Sequence, residues 1–479
     1  MTLSLRYSDS RSRTDAADVT DVQSVAGTEA CPGRQPLLSV LGEDLPIPLV
    51  NGDRLPYANL DCAASAPALR VVADRVNELL PYYSSVHRGA GYSSALCTEL
   101  FEQARATVAE FVGARPDDVT VFCRNTTDAL NLLARAVPGP VLFLDLEHHA
   151  NLLPWQGVEH RCVLAGTTQR ATLVGLRAEL EARPAALVAI TGASNVTGEL
   201  LPIAEIARLA HAYDARVVVD AAQLAPHRRI DIAAWDVDYL AFSGHKLYAP
   251  YGSGVLVGRR DWLDAAPPYL AGGGAVREVG VAETVWADAP QRHEGGTPNL
   301  VGAFALARAC EALAEVGEDA LRTHEDELRN RLLQRCTEPG SPLADAVRVH
   351  RIWRDSPDAI GVIAFSVDGF EPGLVSAYLS AEHGIGLRDG RFCAHPLLSR
   401  LNGGRDALRA GFGIGTTTEQ IDRLADGLER LLTEGPDWTY AKVDGRYVPT
   451  PDPRPLPTVF ADTLQHRIVA AGDSPCQGS

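Results

Sequence analysis

The sequence predicts an α/β protein: a mostly parallel, doubly wound sheet followed by a smaller α+β domain. Three observations carry this. Short apolar runs, Val141–Asp145, Ala186–Thr191, Arg216–Asp220 and Tyr239–Ser243, read as strands buried on both faces. Amphipathic helical patterns at Thr98–Val112, Leu173–Ala182 and Ile203–Tyr213 separate several of them. Beyond about Gly340 the pattern restarts with strand-like Gly361–Ser366 and closes with a helix over Thr418–Thr433.

Taken in order, residues 1–35 are rich in Ser, Asp, Arg and Thr without periodicity, which predicts a mobile arm. Residues 36–75 are expected to pack with the small domain, 76–315 to form the large domain and 316–435 the small one. From Pro436 the chain carries Pro451, Pro453, Pro455 and Pro457, which predicts an extended tail over 436–479.

A chain of 479 residues is long enough for such a division, and 46% hydrophobic with 22% charged residues suits a folded globular core. The net charge of −17 disfavours nucleic acid or an anionic membrane surface as a partner. Met1–Asp21 has no apolar signal core, and no run approaches the roughly 18 apolar residues of a membrane span. A cytoplasmic protein is the expectation. Nine scattered cysteines form no CxxC pair, so most are expected to be small buried hydrophobes.

In doubly wound sheets ligands sit off the carboxyl ends of the strands, and polar residues cluster there in this chain. Ser243-Gly-His245-Lys246 ends one strand. A lysine buried there has a lowered pKa, fit for Schiff-base chemistry, and Ser243 and His245 can donate to a phosphate. A surface turn is the plain alternative. Asp220 ends the preceding strand, with Gln223 a turn later; it suits a protonated ring nitrogen or, more plainly, a helix cap. Asn125-Thr126-Thr127-Asp128 opens a helix expected to begin near Ala129, as an anion site or a simple cap. His148 and His149 follow a strand and offer an imidazole for stacking and proton transfer. Neighbours in sequence point apart and no third ligand stands at helical spacing, so no metal is expected.

In this order and spacing the chain resembles the class V pyridoxal-phosphate (PLP) enzymes, closest to the group II cysteine desulfurases and selenocysteine lyases. The resemblance runs from about Tyr57 to Leu432. It includes Leu60-Asp-Cys-Ala-Ala-Ser65, Val86-His-Arg-Gly89, Glu147-His-His-Ala-Asn151, Ala193-Ser-Asn-Val196, Gly272-Gly-Gly274 and Gly295-Gly-Thr-Pro-Asn299. It implies the PLP type I fold, with a mostly parallel seven-stranded sheet. It further implies that Lys246 carries the cofactor, His148 stacks on its ring and Asp220 pairs with the ring nitrogen. Gln223 and Asn195 would face the substrate side. Thr127, Thr126, Ser243 and His245 would bind phosphate, completed by Thr297 from a second subunit of a homodimer.

The same resemblance places Cys393, in Gly386-Leu-Arg388-Asp-Gly-Arg-Phe-Cys393-Ala-His-Pro, on the loop bearing the family's nucleophilic cysteine, and Arg409 where the substrate carboxylate is gripped. The implied reaction takes L-cysteine to L-alanine with a persulfide on Cys393, for delivery to a sulfur-acceptor protein. Activation of the thiol is expected from Arg388 and Arg391, or from His148. The chain departs from the pattern at Cys62, at Arg391-Phe392 and at Gly411–Thr416, all expected near the substrate. Alternatives stay open: epimerisation, β-elimination or transamination on the same cofactor without a nucleophilic Cys393, or a non-catalytic scaffold.

Overall fold

Strands buried on both faces make the centre of the protein. The computed structural model describes residues 35–460, so the expected arm, but for Gln35, and the chain beyond 460 lie outside the described residues. A short antiparallel pair, β1 (Pro46–Pro48) and β2 (Arg54–Pro56), is followed by β3 (Ala58–Asn59), α1 (Arg70–Leu79) and α2 (Tyr92–Phe111). Next come β4 (Val119–Cys123), α3 (Thr126–Ala134), β5 (Val141–Leu144), β6 (His160–Val163) and α4 (Gln169–Ala182). The large lobe continues with β7 (Leu187–Thr191), α5 (Ile203–His211), β8 (Arg216–Asp220), β9 (Tyr239–Ser243) and β10 (Gly254–Gly258).

These strands form one seven-stranded sheet in the order β4-β10-β9-β8-β7-β5-β6. Only β10 runs against its neighbours, so the sheet is mostly parallel as expected. β5, β7, β9 and β10 are buried at every residue, which is why they read as continuous apolar runs without alternation. Helix α3 starts at Thr126, earlier than expected, because the Asn125 side chain accepts from Asp128 N at 2.9 Å and caps it. The glycine at 254 lets that cap approach: a Cβ there would lie 2.6 Å from Asn125 Cα.

After α6 (Arg260–Ala265) and the exposed pair β11 (Val276–Val279) and β12 (Thr284–Trp286), α7 (Leu300–Val316) packs against α1 and α2. Helix α8 (Glu318–Arg335) leads into the smaller lobe. There α9 (Pro342–Ala346), β13 (Val347–Val349), β14 (Val362–Val367), α10 (Pro372–His383), β15 (Ile385–Gly386) and β16 (Arg388–Gly390) follow. It closes with α11 (His395–Asn402), β17 (Ala407–Gly411) and α12 (Thr418–Thr433), which coincides with the expected helix. Its antiparallel sheet runs β13-β14-β17-β16. Strand β3 pairs with β15, tying the N-terminal segment to this lobe, whereas α1 lies on α7.

The expectation of an extended tail from Pro436 is corrected. Strands β18 (Tyr440–Val443) and β19 (Arg446–Pro449) form an antiparallel hairpin that packs on α10. Asp444 and Gly445, both with positive φ, make its turn. Pro449 ends β19, and Pro451, Pro453, Pro455 and Pro457 lie beyond the ladder, where they do not interrupt it. Among the described residues no helix is long and apolar enough to cross a membrane.

Candidate active site

The carboxyl ends of β7, β8 and β9 open onto a cavity of about 200 Å³, and the loops after β4 and β5 close its sides. Every expected site residue except Thr297 lines it: Thr126, Thr127, His148, Asn195, Asp220, Gln223, Ser243, His245, Lys246, Arg388, Cys393 and Arg409. Thr297 is exposed and stands apart from this wall.

One end is built from hydroxyls. Thr126 Oγ1 and Ser243 Oγ lie 2.6 Å apart, and Thr126 N donates to Ser243 Oγ at 2.7 Å, at the first turn of α3. Hydroxyls and backbone amides at a helix N-terminus suit a phosphate. Beside them, burial and then Lys246 push the His245 imidazole down to about 4.

Deeper in, burial is the main force lowering the Lys246 amine to about 8; Asp220 opposes it, and Arg409 adds to it. Asp220 is 3% exposed, and burial raises its carboxyl against the hydrogen bond from Ala222 N (2.9 Å) and the charge of Lys246. Burial, then Lys246, hold His148 down to about 3, so its ring is neutral at neutral pH. Its Nδ1 accepts from Ala150 N at 3.0 Å, which places the ring proton on Nε2. A buried amine, a buried carboxylate awaiting a cationic partner, a neutral imidazole and a hydroxyl-lined helix end form a donor set that fits pyridoxal phosphate.

The opposite wall comes from the smaller lobe. Arg388 and Arg409 are paired across β16 and β17. Arg409, 3% exposed, donates to Asp61 Oδ1 (2.8 Å) and Asn195 O (3.0 Å), lies 5.2 Å from the Phe392 ring centroid, and keeps a buried Nε without a partner. That leaves donor capacity for a carboxylate. Asn195 Nδ2 donates to Phe392 O at 2.8 Å, and Gln223 Nε2 to Ala63 O at 2.6 Å. Cys393 is half-buried in the same wall.

Three expectations are corrected. Arg391 pairs with Asp406 at 3.3 Å and does not line the cavity, whereas Arg388 does. Cys62 turns its Sγ toward Asn59 O (3.6 Å), and burial, then Asp61, raise its thiol to about 12; it too lies off the cavity. None of Gly411–Thr416 lines it either. Phe392, expected near the substrate, does line the cavity. Sequence reasoning missed Glu147. Glu147 is fully buried, accepts from Thr191 N (3.1 Å) and Asn151 Nδ2 (2.7 Å), and burial holds its carboxyl well above the usual range. A second acid two residues after Asp145, close behind the apolar β5, was the available signal. The His148 and His149 rings stand 6.2 Å apart, and among the described residues no group of three His, Cys, Asp or Glu side chains is placed to hold a metal.

Comparison with known proteins agrees with this geometry. Residues 58–424 match the model of the class-V aminotransferase family. A cysteine desulfurase of Dickeya dadantii is 39% identical over 397 residues, 80% of this chain and 93% of that protein. One from an Escherichia coli O127:H6 strain is 37% identical over 400 residues, 80% and 94% of the two chains. Among solved structures, an E. coli cysteine desulfurase superposes with a TM-score of 0.68 at 31% identity, over 78% of this chain and 94% of that one. A cysteine desulfurase from Thermococcus onnurineus gives 0.73 at 29% identity, over 82% and 98%. With a family model spanning most of its length and relatives of this similarity, the chain belongs to the class-V aminotransferase family, whose cofactor is pyridoxal phosphate.

Proposed function

We propose that the protein is a cysteine desulfurase, converting L-cysteine to L-alanine while Cys393 takes the sulfur as a persulfide. The observation that carries this is that Cys393 lines the same cavity as Lys246, Asp220 and Arg409. The cofactor, when bound, supplies an electron sink for the substrate's α-carbon.

The chain's own residues do the rest. Lys246 would hold the cofactor, and its amine, lowered toward neutrality by burial, is suited to move the substrate's α-proton. Arg409, with Arg388 beside it, orients the substrate carboxylate. Asp220 would keep the ring nitrogen protonated, neutral His148 would stack on the ring, and Thr126, Thr127, Ser243 and His245 would hold the phosphate. Gln223 and Asn195 border the substrate.

The Cys393 thiolate attacks the substrate sulfur. An S–S bond forms as the C–S bond breaks, and the electron pair stays with the substrate carbon, which is protonated to alanine. Sulfur is oxidised and carbon reduced, so no outside oxidant is needed. The persulfide then passes to a thiol acceptor, in the physiological case a sulfur-acceptor protein. Exposed Thr297 is free to complete the phosphate cradle of a second copy, as a homodimer with shared sites requires.

The test is alanine and sulfide release from L-cysteine under a thiol reductant, wild type against Cys393→Ala. Equal product amounts from wild type and neither from a variant that stays yellow are expected. A wild type without alanine, or an unimpaired variant, points instead to an epimerase, lyase or transaminase on the same cofactor.

A further inference from the structure

Cys393 sits on a turn that is costly to hold. Phe392 and Cys393 take φ values of 54° and 53°, two successive non-glycine residues in the left-handed region. Such a pair persists only where its surroundings over-determine it.

Three hydrogen bonds pin the turn. Asn195 Nδ2 donates to Phe392 O (2.8 Å), His149 N to Cys393 O (2.8 Å), and Ala394 N to Arg391 O (3.0 Å). Helix α11 follows at once, and its Arg400 reaches back to Asp145 (3.2 Å) and Ala165 O (2.6 Å) of the large lobe. Phe392, Ala394, Leu397 and Leu398 belong to the hydrophobic core of that lobe, although the chain reaches them through the smaller one.

The residue that opens α11 closes the circuit. The ring of His395 meets the ring of His149 edge to face, with centroids 4.6 Å apart at 76°. His149 therefore holds Cys393 through its backbone amide and is itself held through its side chain by His395, two residues beyond Cys393. The Nε2 of His395 is buried without a hydrogen-bond partner. At this contact the side chain meets His149 through its ring.

We propose that His395 is a positioning residue for Cys393: by packing on His149 it holds the sulfur-bearing turn in the left-handed conformation that sets Cys393 in the wall of the Lys246 cavity. The inference rests on Cys393 being the nucleophile of the proposed desulfuration. It gives a role to a histidine placed after the cysteine, where the chain has Arg391-Phe392 before it.

The experiment measures two things on the PLP-loaded enzyme: the rate of Cys393 alkylation by iodoacetamide, followed on its own peptide by mass spectrometry, and kcat and KM for alanine release. His395→Ala is expected to speed alkylation and lower kcat, each by roughly 5- to 10-fold, the scale of one lost aromatic pair. KM and the cofactor's absorption band stay near wild type. His395→Phe, which keeps a ring, restores both rates. Wild-type alkylation and kcat in His395→Ala overturn the proposal, as does a His395→Phe variant no better than the alanine one. Should His395→Ala fail to fold, His395→Leu replaces it, and the proposal requires phenylalanine to outperform leucine. If the wild type releases no alanine, the desulfurase reading fails by itself, while the alkylation comparison still decides whether His395 positions Cys393.

Discussion

Arg388 and Arg409 stand opposite each other on β16 and β17, and both reach the cavity that holds Lys246. Two guanidinium groups on one rung repel unless an anion joins them; Arg409 is held by Asp61 at 2.8 Å. A substrate carboxylate relieves that repulsion. Arg409→Lys keeps the charge but loses the planar fork. The expected result is a rise in KM for the amino acid of roughly 10- to 100-fold, the value of a charge-assisted pair. Steady-state kinetics on a variant with unchanged cofactor content checks this; a KM within twofold of wild type would place the carboxylate elsewhere.

Lys246 has to be unprotonated to attack the cofactor's aldehyde. Burial brings its amine down to about 8, against the Asp220 charge, which pulls it up. Covalent reconstitution of the cofactor-free protein is therefore expected to speed up as pH rises, with a midpoint near 8. The sign follows from burial penalising the charged amine: the reactive neutral form gains as pH climbs through the lowered value. Asp220→Asn removes the opposing charge and moves the midpoint lower. Growth of the yellow absorption against pH reads both, and a wild-type profile still climbing past roughly pH 10 would describe an ordinary solvated lysine.

At Gly254 the strand end and the α3 cap nearly touch: an added Cβ would lie 2.6 Å from Asn125 Cα and 2.9 Å from Phe242 O, both backbone atoms. Gly254→Ala has to push the Asn125–Thr126 turn away from Ser243, breaking the 2.6 Å hydroxyl contact. A loss of about 1–3 kcal/mol of stability is expected from the overpacking, together with weaker cofactor binding. Thermal unfolding with and without added cofactor tests it: the stabilisation by cofactor should shrink.

Much of this was legible in sequence for a physical reason. β8, β9 and α12 were read to the residue because a two-face-buried strand is an unbroken apolar run and Thr417 with Gln420 closes a capping box on α12. Lys246, Asp220 and His148 could be found because each ends or closely follows such a run. Arg391 and Cys62 were misplaced because direction within a loop depends on long-range partners, Asp406 for one and Asn59 for the other. The support of Cys393 by His149 and His395 joins residues far apart in sequence, and no local spacing encodes it. The C-terminal hairpin carried a usable signal, Asp444-Gly445 between two short β-prone runs, outweighed by the prolines just beyond it.

That hairpin yields the last prediction. It lies beyond the family's matched span of 58–424 and rests on α10 through two acids. Glu382 accepts from Tyr440 Oη (2.8 Å) and Trp438 N (3.2 Å), and Glu371 accepts from Tyr447 Oη (2.9 Å) and Lys442 Nζ (2.6 Å). The Lys442–Glu371 pair is half exposed and adds little in water, so most of the benefit comes from the Glu382 contacts and from covering the α10 face. Helix α10 packs on β16, which carries Arg388, but no hairpin residue lines the cavity. Ending the chain at Glu434 is therefore expected to cost about 1–3 kcal/mol, from lost hydrogen bonds and apolar cover, and to lower Tm by several degrees. Glu382→Gln in the full chain should produce a smaller fall in the same direction. In both proteins kcat at low temperature should stay within about twofold of wild type; a large drop in kcat with an unchanged Tm would mean that the hairpin acts on Arg388 through α10 and is part of the working site.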